Sequence, residues 1–159
     1  MGVLGIGDYE VTVIYNGNAK YNATNITKTF SIGKISDYNV TLNTTDVVAG
    51  ENSTLVIILP EDATGVVNVT VGKDSYKANV TDGVASVKIN SLIAGDYKVN
   101  VTYSGDKTYE VSNNVFNLAV NPMKVNLNIS DVVMFYRDGT RMVAILTDIK
   151  GNPITNATV

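Results

Sequence analysis

The sequence predicts an all-β chain, built of short antiparallel strands stacked as two-layer sandwiches and repeated along its length. Three observations carry that prediction. Apolar and polar residues alternate with period 2 over most of the chain, as in Tyr97, Val99, Val101 and Tyr103 against Lys98, Asn100 and Thr102. Gly, Asn and Asp punctuate the alternating runs every ~8–12 residues. The stretch GDYEVTVIYNGNAKY at 7–21 returns as GDYKVNVTYSGDKTY at 95–109, an offset of 88 residues. Such self-similarity outranks length as a guide to organisation.

Each strand follows from its own pattern. Tyr38, Val40 and Leu42 alternate with Asn39 and Thr41. STLVIIL at 53–59 is apolar on both sides and reads as a central strand. Val67, Val69 and Val71 form the next apolar row, then Tyr76, Ala78 and Val80, then Ala85, Val87 and Ile89. The strand at 97–103 follows, and Phe116, Leu118 and Val120 make the last one before NPMK. Turns are expected at Ala49-Gly50, Pro60 to Gly65, Gly72 to Asp74, Asp82-Gly83, Ala94-Gly95-Asp96 and Ser104-Gly105-Asp106. Asp82-Gly83, between two alternating strands, is the sharpest hairpin signal. No stretch shows a sustained 3.6-residue period, so helices are not expected.

About seven strands between 33 and 120 have the size and spacing of an immunoglobulin-like sandwich. Within it Tyr97 stands two residues before Val99, the tyrosine-corner position, and its hydroxyl should bond backbone just upstream. NVTLNTTDVV at 39–48 is echoed by KVNLNISDVV at 124–133. After that echo, MFYRDGTRMVAILTDIKGNPITNATV reads as a strand, a turn at Asp138-Gly139, a second strand, a turn at 151–153 and the start of a third. Residues 1–32 therefore read as the C-terminal part of one repeat, 33–120 as a complete repeat, and 121–159 as the N-terminal part of the next. The piece reads as an excerpt of a tandem array. Neither end can close a core alone, so head-to-tail self-association of the chain is expected.

LIAGDYKVNVTYSGDKTYEVSNNVFNLAV resembles the end of a bacterial-type Ig-like domain of long prokaryotic surface proteins. VVMFYRDGTRMVAILTDIKGNPITNATV resembles the opening of Ig-like repeats in adhesin-like, Asn/Thr-rich surface proteins of methanogenic archaea. The resemblance implies a structural and adhesive stalk segment at the cell surface. Its partners would be neighbouring Ig-like repeats and an adhesive target, protein or glycan, and its targeting signals would lie outside this piece. It supplies no catalytic residues. A carbohydrate-binding sandwich module of a secreted enzyme is the alternative. A flat patch of exposed Tyr on one sheet would favour that alternative, and a uniform Asn/Thr outer face would favour the stalk.

Composition points the same way. The chain has no Cys and no His, which removes disulfides, thiolate nucleophiles, imidazole bases and zinc sites built on those ligands. A net charge of −3 argues against nucleic acid as a partner. Glu10, Glu51, Glu61 and Glu110 form no recognisable acid/base pair, and GVLGIG at 2–7 is not a nucleotide-binding loop. No enzyme activity, cofactor or metal site is expected. Asp37, Asp46, Asp131, Asp138 and Asp148 fall in predicted loops near the repeat junctions, where calcium would be sought, but no calcium-loop string is present and they read as turn residues. Lys73, Lys77, Lys88 and Lys98 fall on polar strand faces, which disfavours a Lys–Asn cross-link.

The densest motif is N-x-[ST], at Asn22, Asn25, Asn39, Asn43, Asn52, Asn68, Asn79, Asn100, Asn128 and Asn156, ten of the 19 asparagines. One reading is glycan acceptors on an extracellular surface. The other is that polar alternation in an Asn- and Thr-rich chain generates the motif by itself. Tyr15, Tyr21, Tyr103 and Tyr109 recur with the repeat and read as hairpin packing.

Overall fold

The computed structural model describes residues 2, 4–129, 131–137, 139–155 and 157. Among them there are twelve strands and no helix. They are β1 Gly7–Tyr15, β2 Thr24–Ile32, β3 Thr41–Thr44, β4 Val47–Val48, β5 Ser53–Ile58, β6 Val66–Val71, β7 Asp74–Asn79, β8 Val84–Ile89, β9 Gly95–Tyr103, β10 Ser112–Asn121, β11 Val125–Ile129 and β12 Ala144–Asp148.

The central strands make two sheets, β4-β10-β9-β6-β7 and β3-β5-β8. Valine dominates the interface between them because a β-branched side chain packs well on a pleated, half-buried surface. Val67, Val69, Val71, Val99, Val101, Leu118 and Val120 come from the larger sheet, and Leu55, Ile57, Ala85, Val87 and Ile89 from the smaller. All are buried, and full burial of one such aliphatic side chain stabilises the fold by about 1.5–3 kcal/mol. This is the immunoglobulin-like sandwich. β5 is the centre of its sheet, but only Leu55 and Ile57 face the core, and Ile58 is exposed beside Val84 on the outer side.

Three local expectations within the central sandwich need correction. The hairpin at Asp82-Gly83 is a tight turn, with both residues at positive φ and Thr81 bridged to Val84, but β7 and β8 enter different sheets. Hydrogen bonds on either side of the turn divide them. Val80 N donates to Gly65 O at 2.9 Å beside β6, and Leu59 N donates to Gly83 O at 2.8 Å beside β5. The in-sheet hairpin is β6–β7, closed by Gly72-Lys73 with Gly72 at φ 60°. Gly95 and Asp96 are already strand, opposite Val120 and Ala119, because β10 extends far enough to pair them. Tyr38 and Val40 lie outside β3, since Tyr38 turns into the loop cluster described below.

Two further hairpins stand apart as two-stranded sheets, β1–β2 and β11–β12. In β1–β2 Gly7 faces Ile32 and Tyr15 faces Thr24. In β9–β10 Gly95 faces Val120 and Tyr103 faces Ser112. Every partner is displaced by the same 88 residues, so the internal repeat is a repeat of strand register as well as of letters. In the C-terminal stretch the expected first strand over MFYR is absent: 131–137 carries no strand, and β12 pairs directly with β11. Met134 and Tyr136 are exposed there. Asp138 of the expected turn lies outside the described residues.

Gly83 is the turn residue whose replacement costs most. A Cβ there would sit 2.4 Å from Pro60 O and 2.9 Å from Leu59 O, at φ +69°. Gly72 has a similar φ of +60°, but its nearest neighbour would be Tyr97 Cδ1 at 3.8 Å. Gly72→Ala should cost about 1–2 kcal/mol from backbone strain alone, and Gly83→Ala at least about 2 kcal/mol more, because backbone must move. Urea midpoints of the two variants measure the difference.

Candidate functional site

The loop between β9 and β10 is organised by one carboxylate. Asp106 follows Gly105, whose φ of 68° turns the chain, and accepts N–H bonds from Thr108 and Tyr109 at Oδ1, both at 2.8 Å. An Asp at this place in a turn reaches its own backbone two and three residues on. Its other oxygen accepts Thr64 N at 2.8 Å and Thr64 Oγ1 at 3.1 Å, which ties in the loop between β5 and β6. Partial burial opposes ionisation of Asp106, but the N–H donors of Thr64, Tyr109 and Thr108 outweigh it and hold the carboxyl far below the usual range.

Three tyrosines fill the space around that loop. Tyr103 is fully buried and donates to Thr64 O at 2.5 Å. Burial and the neighbouring Asp106 carboxylate push its hydroxyl well above the ordinary tyrosine value. Tyr109 donates to Asp62 Oδ1 at 2.6 Å, and that bond, aided by burial, pushes it up to about 12. Tyr38 packs edge-on against both, with ring centroids 6.2 Å from Tyr103 and 5.1 Å from Tyr109, and its hydroxyl donates to Glu110 O. The incoming chain is held here as well. Ile35 runs parallel to Tyr109, with Ile35 N on Thr108 O at 2.9 Å and Glu110 N on Ile35 O at 3.0 Å.

Sequence reasoning passed over Asp106 as an ordinary turn residue. The signal was present, because Asn18 holds the equivalent place in the first copy. Its Oδ1 accepts Lys20 N and Tyr21 N, both at 2.9 Å. An amide oxygen suffices for the local turn. The bridge to Thr64 needs a second acceptor, which only Asp106 has.

Tyr97 donates to Ile93 O at 3.1 Å, and Tyr9, 88 residues earlier, donates to Gly5 O at 2.8 Å. Both bonds are solvent-accessible. The less exposed tyrosine bonds of the sandwich are those of Tyr103 and Tyr109, both part-buried, and the backbone bond of Tyr97 just upstream lies nearer solvent.

The sequon asparagines Asn22, Asn25, Asn39, Asn43, Asn52, Asn68, Asn79, Asn100 and Asn128 are all exposed; Asn156 lies outside the described residues. The antiparallel pairing of β6 and β9 sets two of them in a reciprocal square, Asn68 opposite Thr102 and Asn100 opposite Thr70. Asn52 is partly engaged, its Oδ1 accepting Ser91 N at 3.0 Å. The outer face of the larger sheet continues in the same chemistry, with Thr70 bonded to Ser75, Thr102 to Asn113 and Lys98 to Asn117. Lys73, Lys77 and Lys88 are exposed too. No tyrosine stands on that face among the described residues.

The loop aspartates among the described residues, which leave out Asp138, do not converge. Among the described residues no three carboxylates gather as a metal site would need. Asp148 caps its own turn, accepting Lys150 N and Asn152 N at Oδ1 and Asn152 Nδ2 at Oδ2, each at 2.8 Å. Those bonds, the Asn152 amide first, lower its pKa. Glu51 pairs with Lys150 at 3.0 Å, joining the central sandwich to the β12 turn. A cleft of about 420 Å³ lies at that junction, lined by Val48, Met123 and Ile149 among others.

A family model described as Bacterial Ig-like domain (group 3) matches residues 40–121, slightly more than half of the chain. The match covers both central sheets. Hairpins β1–β2 and β11–β12 lie outside it.

Tyr103→Phe should cost about 1–3 kcal/mol by stranding the Thr64 carbonyl, and Tyr97→Phe about 0.5 kcal/mol, read from denaturant midpoints. Asp106 has a folded pKa below its unfolded value of about 4, so its stabilisation is complete above pH ~4 and is lost as pH falls below that. Asp106→Asn keeps the local turn, as Asn18 does, but should lower stability at pH 7 by about 1–2 kcal/mol and flatten the acid limb of a pH–stability curve. Tyr109 works in the opposite sense. Its folded pKa is raised, so its contribution is complete below pH ~10 and is lost as pH rises through about 12.

Proposed function

Because the chain belongs to the bacterial Ig-like domain (group 3) family, we propose that it is a load-bearing, non-catalytic spacer in the stalk of an adhesin-like surface protein. In this reading residues 33–120 are one whole repeat, flanked by parts of two others, and the stalk holds an adhesive region away from the cell. The observation that carries the proposal is how the chain enters and leaves the central sandwich. Ile35 enters parallel to Tyr109, before β10 begins, and Val47 and Val48 of β4 run parallel to Val120 and Asn121 at its far end. Entry and exit therefore lie at opposite ends of one ten-residue strand, on the order of 30 Å apart.

Tension applied through residues 33 and 121 pulls the entering segment and β10 in opposite directions along their shared axis. Their hydrogen bonds are then loaded together in shear instead of being opened one at a time. Ile35 N to Thr108 O, Glu110 N to Ile35 O and Ala49 N to Asn121 O, at 2.8 to 3.0 Å, are those bonds. The Asp106 and tyrosine cluster anchors the entry end. The outer face of Asn, Thr, Ser and Lys supports the same reading, since it offers many small polar groups and no aromatic platform for stacking a sugar ring. The exposed sequons suit glycan attachment on an extracellular face.

Single-molecule pulling between residues 33 and 121 tests the proposal. Ile35→Pro and Ala49→Pro each remove one N–H of the sheared set. Each should lower the unfolding force when the chain is pulled through its two ends. Pulling across the β6–β7 edge should be unaffected, because that geometry peels the sheet from its other side. Equal forces in both geometries would overturn the load-bearing role.

A further inference from the structure

Of the ten sequons, Asn39 alone has a carboxylate two residues before it, Asp37. Lysine holds that place at Asn22, Asn79 and Asn100, and an uncharged residue at the other six. The backbone also sets Asn39 apart. Asn25, Asn43, Asn68, Asn79, Asn100 and Asn128 lie inside strands, with their backbone committed to ladders. Asn39 is exposed, in the irregular segment between Ile35 and β3. Asn52 also lies outside the strands, but its Oδ1 already accepts Ser91 N.

Asn39 borders a shallow groove of about 390 Å³, shared with Tyr38, Thr41, Ile58, Leu59 and Pro60. The ladder explains why these residues meet. Thr41 faces Ile58 across β3–β5, and the same register continued by two residues sets Asn39 level with Pro60. The acceptor and the Thr41 of its sequon therefore border one groove. Asn43 and Asn52 border grooves too, but Val56 and Ile89 are the only large apolar side chains lining those, and neither groove has a ring.

The groove is preformed. Tyr38 is held by its edge-on contacts with Tyr103 and Tyr109 and by its hydroxyl bond to Glu110 O. Pro60 is fixed by its own ring, and Leu59 is only 5% exposed. An occupant therefore has few side chains to order. One face of a pyranose ring is made of C–H bonds, which pack against aromatic and aliphatic surface while the hydroxyls stay in water. We propose that Asn39 is a glycan acceptor and that its first sugar lies in this groove, against Tyr38, Ile58 and Pro60. The proposal rests on the reading of the sequons as glycan-bearing and names the one that the fold selects. In the transfer, Asn39 Nδ2 forms a bond to the anomeric carbon of an oligosaccharide carried on a lipid phosphate. The bond from that carbon to the phosphate oxygen breaks, the lipid phosphate leaves with the electron pair, and Nδ2 gives up one proton. Asp37 offers the transferase a negative charge beside the acceptor, to be met by a cationic group of the enzyme.

Transfer to the folded chain tests this, with a single-subunit oligosaccharyltransferase and a lipid-linked oligosaccharide as the probe and peptide mass spectrometry as the readout. Asn39 should fill before the other sequons. Asp37→Asn should slow that filling about tenfold, the worth of one charge-assisted hydrogen bond. The attached glycan should raise the melting temperature by about 4 °C, and Ile58→Thr, which keeps a strand-forming residue but removes one groove wall, should cut that rise by about half or more. Other sequons filling while Asn39 stays empty, or Asn39 filling equally fast in Asp37→Asn, would overturn the proposal and leave the glycan reading standing. If no sequon fills, both fall. A glycan on Asn39 that leaves melting unmoved, or raises it as much in Ile58→Thr, overturns the groove as the seat of the sugar.

Discussion

An amphipathic sheet must cover its apolar face, and nearly everything about this chain follows from that constraint. Valine and tyrosine at every second position give each strand one side that water disfavours. Between residues 41 and 121 the requirement is met within the chain. Two sheets lie face to face, and the rows led by Val67, Val99 and Leu55 disappear between them. In β1–β2 and β11–β12 the same alternation leaves the same kind of row open to solvent. Equivalent side chains, such as Val13 and Val101, thus differ in burial for no reason of their own. What differs is the presence of a covering sheet.

The closed sandwich also has polarity. At one end Asp106, Thr64 and the three tyrosines bind the β9–β10 loop, the β5–β6 loop and the incoming segment into one cluster. At the other, β4 pairs in parallel with the end of β10, and Glu51 reaches Lys150. Hydrogen bonds to an ionised acceptor are about twice as strong as neutral ones, which suits Asp106 to the end where three segments must stay together. The exposed ion pair at the far end is worth little by comparison. The bonds to the Asp106 carboxylate thus sit where the chain enters the sandwich.

The tyrosines show how differently the two levels of structure can be read. Alternation placed Tyr97, Val99, Val101 and Tyr103 on one face, and the recurrence of Tyr15 and Tyr21 pointed to packing inside a hairpin. Spacing singled out Tyr97 as the tyrosine corner, and its bond to Ile93 is exposed, whereas nothing local marked Tyr103, whose bond to Thr64 is part-buried. Tyr103 acquires its role from Thr64, 39 residues away in sequence, and Tyr38 reaches Glu110 across 72. The local part of the Asp106 turn was legible, since Asn18 repeats it. Its bridge to Thr64 was not.

By itself, then, the sequence determined the strand content, the faces of most strands and the 88-residue repeat. Those depend on local periodicity and on turn residues such as Gly72 and Gly105, whose conformational demands are met within a few residues. The tertiary structure alone decided which sheet each strand joins. Asp82-Gly83 makes the tight turn its letters specify, yet β7 and β8 part there, because Gly65 O holds Val80 and Leu59 N holds Gly83. It also decided that Tyr38 leaves its strand for the loop cluster, and that Val101 is buried while Val13 is not. Each of these outcomes rests on contacts between segments far apart in the chain, and no local pattern encodes which distant partner will be there.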